Sequence, residues 1–99
     1  MKIRWSPTAV SDLESIREYI ARDSPSAARK VANRIKESVN RLCNFPLSGR
    51  AGRVPGTREL VIPGTSYIAA YLIQGDEVRI ASVLQVQQGY FLLMLTSVF

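Results

Sequence analysis

The chain is expected to fold as an α+β domain: an N-terminal strand, a two-helix antiparallel hairpin, then a three- to four-stranded antiparallel sheet. Three observations point there. An alternating run, Lys2 to Trp5, comes first. Two Ser-Pro steps, Ser6-Pro7 and Ser24-Pro25, then each open a segment with apolar residues at helical spacing. From Arg58 onward the apolar period becomes two, with turn residues Pro63-Gly64 and Gln74-Gly75-Asp76 between the runs.

Each element has a local cause. In the first run Ile3 and Trp5 share one face and Lys2 and Arg4 the other, as in a half-buried strand. Ser6 has the side-chain oxygen to cap a helix, and Pro7 suits the first helical position, where a missing N–H costs nothing. Ala9, Leu13, Ile16 and Ile20 then form one apolar stripe, and Asp12 and Glu14 are read as complementing the positive end of the helix dipole. Ser24-Pro25 stops that helix and starts the next, because Pro disfavours helical geometry in the residue before it. In the second helix Ala28, Val31, Ile35, Val39 and Leu42 continue the stripe to Phe45-Pro46. Joined by so short a turn, the helices should lie antiparallel, with their apolar faces on a sheet.

From Leu47 to Gly56 the composition shifts to Gly, Pro and Arg, which reads as an exposed loop. Strands are expected at Arg58 to Ile62, Tyr67 to Ile73 and Glu77 to Leu84. The last eleven residues, Gly89 to Phe99, carry no charge, and Phe91 to Leu95 fits either strand or helix.

Composition bounds the function. The 99 residues give room for one domain, residues 1–99, with 46% hydrophobic residues to build a core. The net charge of +5 suits nucleic acid, the ribosome or an acidic protein, and equally suits plain solubility. One cysteine, Cys43, excludes an internal disulfide and is read as a reduced core thiol. There is no histidine, which removes the usual neutral-pH base and the commonest zinc ligand. No metal and no cofactor are expected, and any catalysis would run on Arg, Lys, Glu or Tyr. The N-terminus shows no signal-peptide pattern, and Tyr90 to Leu95 is too short to span a bilayer, so no membrane partner and a cytoplasmic setting are expected.

Over residues 3 to 84 the chain resembles the RelE/ParE superfamily of bacterial toxins and leans toward the ParE branch. The resemblance rests in the first helix on Ala9, Asp12, Leu13, Ile16 and Tyr19-Ile20-Ala21, and in the second on Pro25, Ala27-Ala28, Ile35 and Leu42. Beyond these come Pro46, Gly49-Arg50, Gly56, Arg58-Glu59-Leu60, Tyr67, Tyr71 and Ile80-Ala81-Ser82-Val83-Leu84. Most of the apolar members are core residues in any reading. After Leu84 the pattern departs: where such toxins place a basic or His-containing segment, this chain has Gln85-Val86-Gln87-Gln88.

The resemblance implies a type II toxin–antitoxin pair. The toxin would be neutralised by a cognate antitoxin whose disordered segment folds across it, giving a hetero-oligomer. Two targets follow. A nuclease of the RelE kind would cut mRNA on the ribosome, which needs proton-transfer groups and cations at the phosphate. Here Arg58, Glu59, Arg79 and Tyr90 are the residues to supply them. A ParE-like toxin would instead bind DNA gyrase and trap its cleaved complex, so no catalytic residue is needed. Its working surface would be Arg50, Arg53 and Arg58 of the Gly/Arg loop, with Tyr90, Phe91, Leu92 and Leu93 of the tail. Lys30, Arg34 and Arg41 form a second basic face, and both this face and the Gly/Arg loop are either contacts or plain solvated charge. The gyrase reading is preferred, with the ribosomal nuclease and an inactive antitoxin-binding remnant as alternatives.

Overall fold

The structure, a computed structural model, describes residues 1–85, and the elements run in the expected order. Strand β1 (Lys2–Trp5) leads into helix α1 (Pro7–Ala21) and helix α2 (Pro25–Asn40), which a 3-10 turn, Arg41–Cys43, extends. Strands β2 (Arg50–Ala51), β3 (Arg58–Val61), β4 (Tyr67–Gln74) and β5 (Glu77–Gln85) complete the sheet. Both Ser-Pro caps form as the side chains require. Ser6 Oγ accepts the Ala9 N–H at 3.0 Å, and Ser24 Oγ accepts the Ala27 N–H at 3.2 Å.

The sheet corrects the expectation in two respects. It has five strands in the order β1-β5-β4-β3-β2, and it is mixed, because β1 lies parallel to β5 with Ile3 opposite Val78 and Trp5 opposite Ile80. A period-2 pattern tells a strand's faces, not the direction of its neighbour. Direction is decided by the helix hairpin, which carries the chain across the sheet and leaves β1 beside the last strand. The fifth strand, β2, lies inside the segment expected to be loop. Its two residues pair with Glu59 and Arg58, too short a run to leave an alternating signature.

The helices cover one face of the sheet. Ala9, Ile35, Val39 and Leu42 meet Ile62, Ala69, Tyr71, Val78, Ile80 and Val83 in a single core. Leu13, Ile16, Ile20 and Val31 pack on it from the stripes. Full burial of each large aliphatic contributes roughly 1.5–3 kcal/mol. Cys43 sits outside this core: its thiol donates to the Met1 carbonyl at 2.8 Å, and the Met1 amine donates to the Cys43 carbonyl at 3.1 Å.

Helix α1 also completes the edge of β5 where β1 stops. Ser6 N–H donates to the Ile80 carbonyl at 2.9 Å, and Ser6 Oγ donates to the Ala81 carbonyl at 2.9 Å. The Asp12 carboxylate accepts the Val83 N–H at 3.0 Å. Asp12 is therefore a surrogate ladder partner for a strand 71 residues away, rather than a dipole complement. Helix α1 has no acidic residue in its first turn. Glu14 pairs instead with Arg17 on the same helix at 3.4 Å.

Candidate functional site: the arginine loop and its clamps

The segment from Phe45 to Thr57 leaves the 3-10 turn, forms β2 and returns into β3. It holds its shape through three clamps. Buried Tyr71 in the middle of β4 aims its hydroxyl into the loop, donating to the Pro46 carbonyl at 2.7 Å and accepting the Gly49 N–H at 2.9 Å. Gly49 is needed for this approach, since a Cβ there would sit 2.6 Å from the Tyr71 ring and hydroxyl. Arg58 supplies the second clamp, donating through Nη1 to the Gly49 carbonyl at 2.8 Å and the Leu47 carbonyl at 3.4 Å.

The third clamp is Glu59, whose side chain is only 6% exposed. Arg50 Nη2 lies 3.5 Å from Oε1, and Arg53 Nε lies 3.9 Å from Oε2, which also accepts the Arg53 N–H at 3.3 Å. Beyond the clamps the loop presents Phe45, Leu47 and Val54, each about two-thirds exposed. The loop is thus a braced, partly apolar projection with cations on its flank.

Arg50, Arg53 and Arg58 do cluster here, and each also has a structural task that the composition of the segment does not reveal. The sequence reads them as partner-facing or solvated charge, with Arg58 also a nuclease candidate, and gives no sign of the bracing. Tyr71 entered only as a residue of the family resemblance. Its role depends on Gly49 arriving from 22 positions away in the chain.

The nuclease candidates among the described residues, Arg58, Glu59 and Arg79, do not converge. Arg58 and Glu59 are adjacent on β3 and so point to opposite faces. Arg58 stands opposite Tyr71 on the core side, and Glu59 opposite Ala70 on the helix-free face. Arg79 is on that same face, but β4 lies between β3 and β5, which places the backbones roughly 10 Å apart. Arg79 Nε pairs with Glu77 at 3.5 Å, and Arg4 of β1 pairs with the same carboxylate at 3.3 Å. Tyr90, Phe91, Leu92 and Leu93 lie outside the described residues.

Among the described residues no group of three or more His, Cys, Asp or Glu is placed to hold a metal ion. No helix there is long and apolar enough to cross a membrane. Tyr67, buried on β4 beside a small cleft with Tyr19 and Val83, has its phenol pushed above the usual tyrosine range by burial first and by Tyr19 second.

These clamps yield a direct expectation. Tyr71→Phe should cost about 1–2 kcal/mol, because the Gly49 N–H loses its buried acceptor. Chemical denaturation should show the loss, and amide exchange should rise at 46–50 before it rises in the core.

The chain and its fold match those of known toxins. A family model described as the ParE toxin of type II toxin–antitoxin systems matches residues 3–90. The chain is 42% identical over 89 residues to "Putative toxin Y4kP" of Sinorhizobium fredii, covering 90% of this chain and 92% of that protein. It is 35% identical over 74 residues to "Toxin RelE2" of Caulobacter vibrioides, covering 75% and 83%. The solved "Chromosomal ParDE TA system from P. aeruginosa" superimposes with a TM-score of 0.79 at 29% identity, covering 88% of this chain and 97% of that one. The protein is thus a toxin of the ParE/RelE type, and the chain belongs to the ParE toxin family of type II toxin–antitoxin systems.

Proposed function

We propose that this toxin acts in the cytoplasm as a gyrase-directed inhibitor rather than as a ribosomal nuclease, held in check by a cognate antitoxin bound directly to it. The observation that carries the reading is the dispersal of the catalytic candidates among the described residues. Cleavage at a phosphate needs a proton acceptor, a proton donor and cations converging within hydrogen-bond reach of the same group. Here Glu59 is buried between Arg50 and Arg53, Arg58 is bound to loop carbonyls on the other face, and Arg79 stands on a distant strand beside Glu77. Such an arrangement supports a protein that works through a surface.

The braced loop is the part of that surface best suited to a partner. Its exposed Phe45, Leu47 and Val54 offer apolar contact, and its arginines offer the planar donors that often anchor interfaces. Its rigidity means that little order must be gained on binding.

The test sets two assays side by side. Purified toxin is expected to block supercoiling by gyrase, or to accumulate cleaved DNA, and to leave ribosome-bound mRNA intact. Added antitoxin should reverse the effect. Specific cuts in the ribosomal A site, lost in Arg79→Ala, would replace this reading with the nuclease. Antitoxin binding without activity in either assay would make the chain a remnant.

A further inference from the structure

The positive charge of the molecule is concentrated on one element. Helix α2 and its 3-10 extension hold Arg29, Lys30, Arg34, Lys36 and Arg41 against a single acid, Glu37, and so carry four of the chain's five net positive charges. Elsewhere the charges are balanced: Arg4, Arg17, Arg50, Arg53 and Arg79 all sit in ion pairs. Among the described residues none of the five cations on α2 and its extension does so, and all five are exposed.

Three of these cations, Lys30, Arg34 and Arg41, border one cleft of about 450 Å³, together with Asn33, Ser38, Pro63 and one acid, Glu37. Arg34 is already positioned there. Its Nη1 donates to the Pro63 carbonyl at 3.2 Å, and Gly64, at φ +74°, leaves the guanidinium room over the turn. Along the helix axis Lys30 and Arg34 are about 6 Å apart, and Arg41 lies roughly 10 Å further. That track is as long as about five nucleotides of one strand of a duplex.

We propose that this face of α2 is a binding site for the phosphate backbone of duplex DNA. The lining decides the class of partner. Apart from Pro63 it is wholly polar, whereas the centre of a protein interface is apolar. Lys, Arg, Asn and Ser are the side chains that contact phosphate and sugar without reading sequence, and the one carboxylate of the lining, Glu37, is outnumbered there by three cations. Single strands are held by stacking bases on aromatic rings, and the cleft has none. The site is separate from the braced loop and stands without the gyrase reading. If that reading holds, α2 would bring the toxin onto the DNA that the enzyme carries.

The experiment measures binding of the full chain to a labelled 20-base-pair duplex of arbitrary sequence by fluorescence anisotropy, as a function of salt. Lys30→Gln/Arg34→Gln/Arg41→Gln is expected to weaken binding by at least about tenfold at low salt and to flatten the salt slope by about 2–3. Lys2→Gln/Arg17→Gln/Arg22→Gln, which removes the same net charge elsewhere, should change affinity less than about threefold and keep most of the slope. Melting curves accompany each variant, and Lys30→Gln/Arg41→Gln replaces the triple variant if that one fails to fold. Equal loss in both triple variants would reduce the effect to net charge and overturn the site. So would absence of duplex binding by the unmodified chain at low salt, or tighter binding of single-stranded RNA. A loss confined to polyglutamate, with duplex binding unchanged, would reassign the face to an acidic protein. The gyrase assays are scored separately, so failure of one idea leaves the other standing.

Discussion

Replacing both Arg50 and Arg53 with alanine should lower stability by on the order of 2–4 kcal/mol, although both arginines look like surface charge. Arg50 is half exposed, and an ion pair so placed contributes little by itself. The cost comes from the other side. Glu59 is 6% exposed, and without the guanidinium groups its carboxylate would keep only the Arg53 N–H among the bonds described above. Taking the cations away from a buried charge is strongly destabilising, whereas removing both members of such a pair costs far less. Adding Glu59→Gln to the double variant should therefore recover much of the loss. In a small domain about 1 kcal/mol shifts Tm by roughly 4–8 °C, so both steps are within reach of a melting curve. If the double variant melts with the parent, Glu59 is not held by these arginines. The same result bears on binding experiments, because alanines at 50 and 53 would loosen the loop as well as remove charge. Substitution by glutamine or lysine, with the fold monitored, separates the two effects.

Asp12→Ala should cost about 1.5–3 kcal/mol, more than an exposed helical aspartate would. Its carboxylate accepts the Val83 N–H beyond the point where β1 ends, and a hydrogen bond to a charged group lies in this range. The alanine variant leaves that N–H against a helix that has no other acceptor to offer it from position 12. Asp12→Asn keeps an oxygen of similar reach and should recover part of the loss. Exchange of the Val83 amide distinguishes the cause: it should quicken selectively in the alanine variant. A Tm unchanged from the parent would mean that the bond contributes nothing net and that α1 is held by its apolar stripe alone.

The helices were legible because their signals are local. Ser6-Pro7 and Ser24-Pro25 cap and preset the first turns, and the apolar spacing of each stripe names the buried face within a few residues of chain. The strands from Arg58 onward were legible for the same reason, to within one residue at most ends. Strand β2 escaped because two residues between glycines carry no period. The helical reading of Asp12 was incomplete because the dipole is a property of the helix, and its true partner belongs to a strand.

The candidate site was legible as a composition and illegible as a mechanism. Gly, Pro and Arg between positions 47 and 58 announce a loop with positive charge. They do not say that Tyr71 fills it from below, that Arg58 turns back to its carbonyls, or that Glu59 is buried beneath two guanidinium groups.

Sequence alone determined the class of fold, the order of elements, most of the core and the exclusion of histidine chemistry and of an internal disulfide. Each of these depends on residue type and on spacing within a few turns. Only the tertiary structure decided that β1 lies parallel to β5 and that Arg58 and Glu59 brace the loop, one through its carbonyls and the other through two guanidinium groups. Only it showed that, among the described residues, the five cations of α2 and its extension stand outside the ion pairs that hold Arg4, Arg17, Arg50, Arg53 and Arg79. Those facts turn on which distant residues meet, and that is decided by the packing of two helices on a sheet.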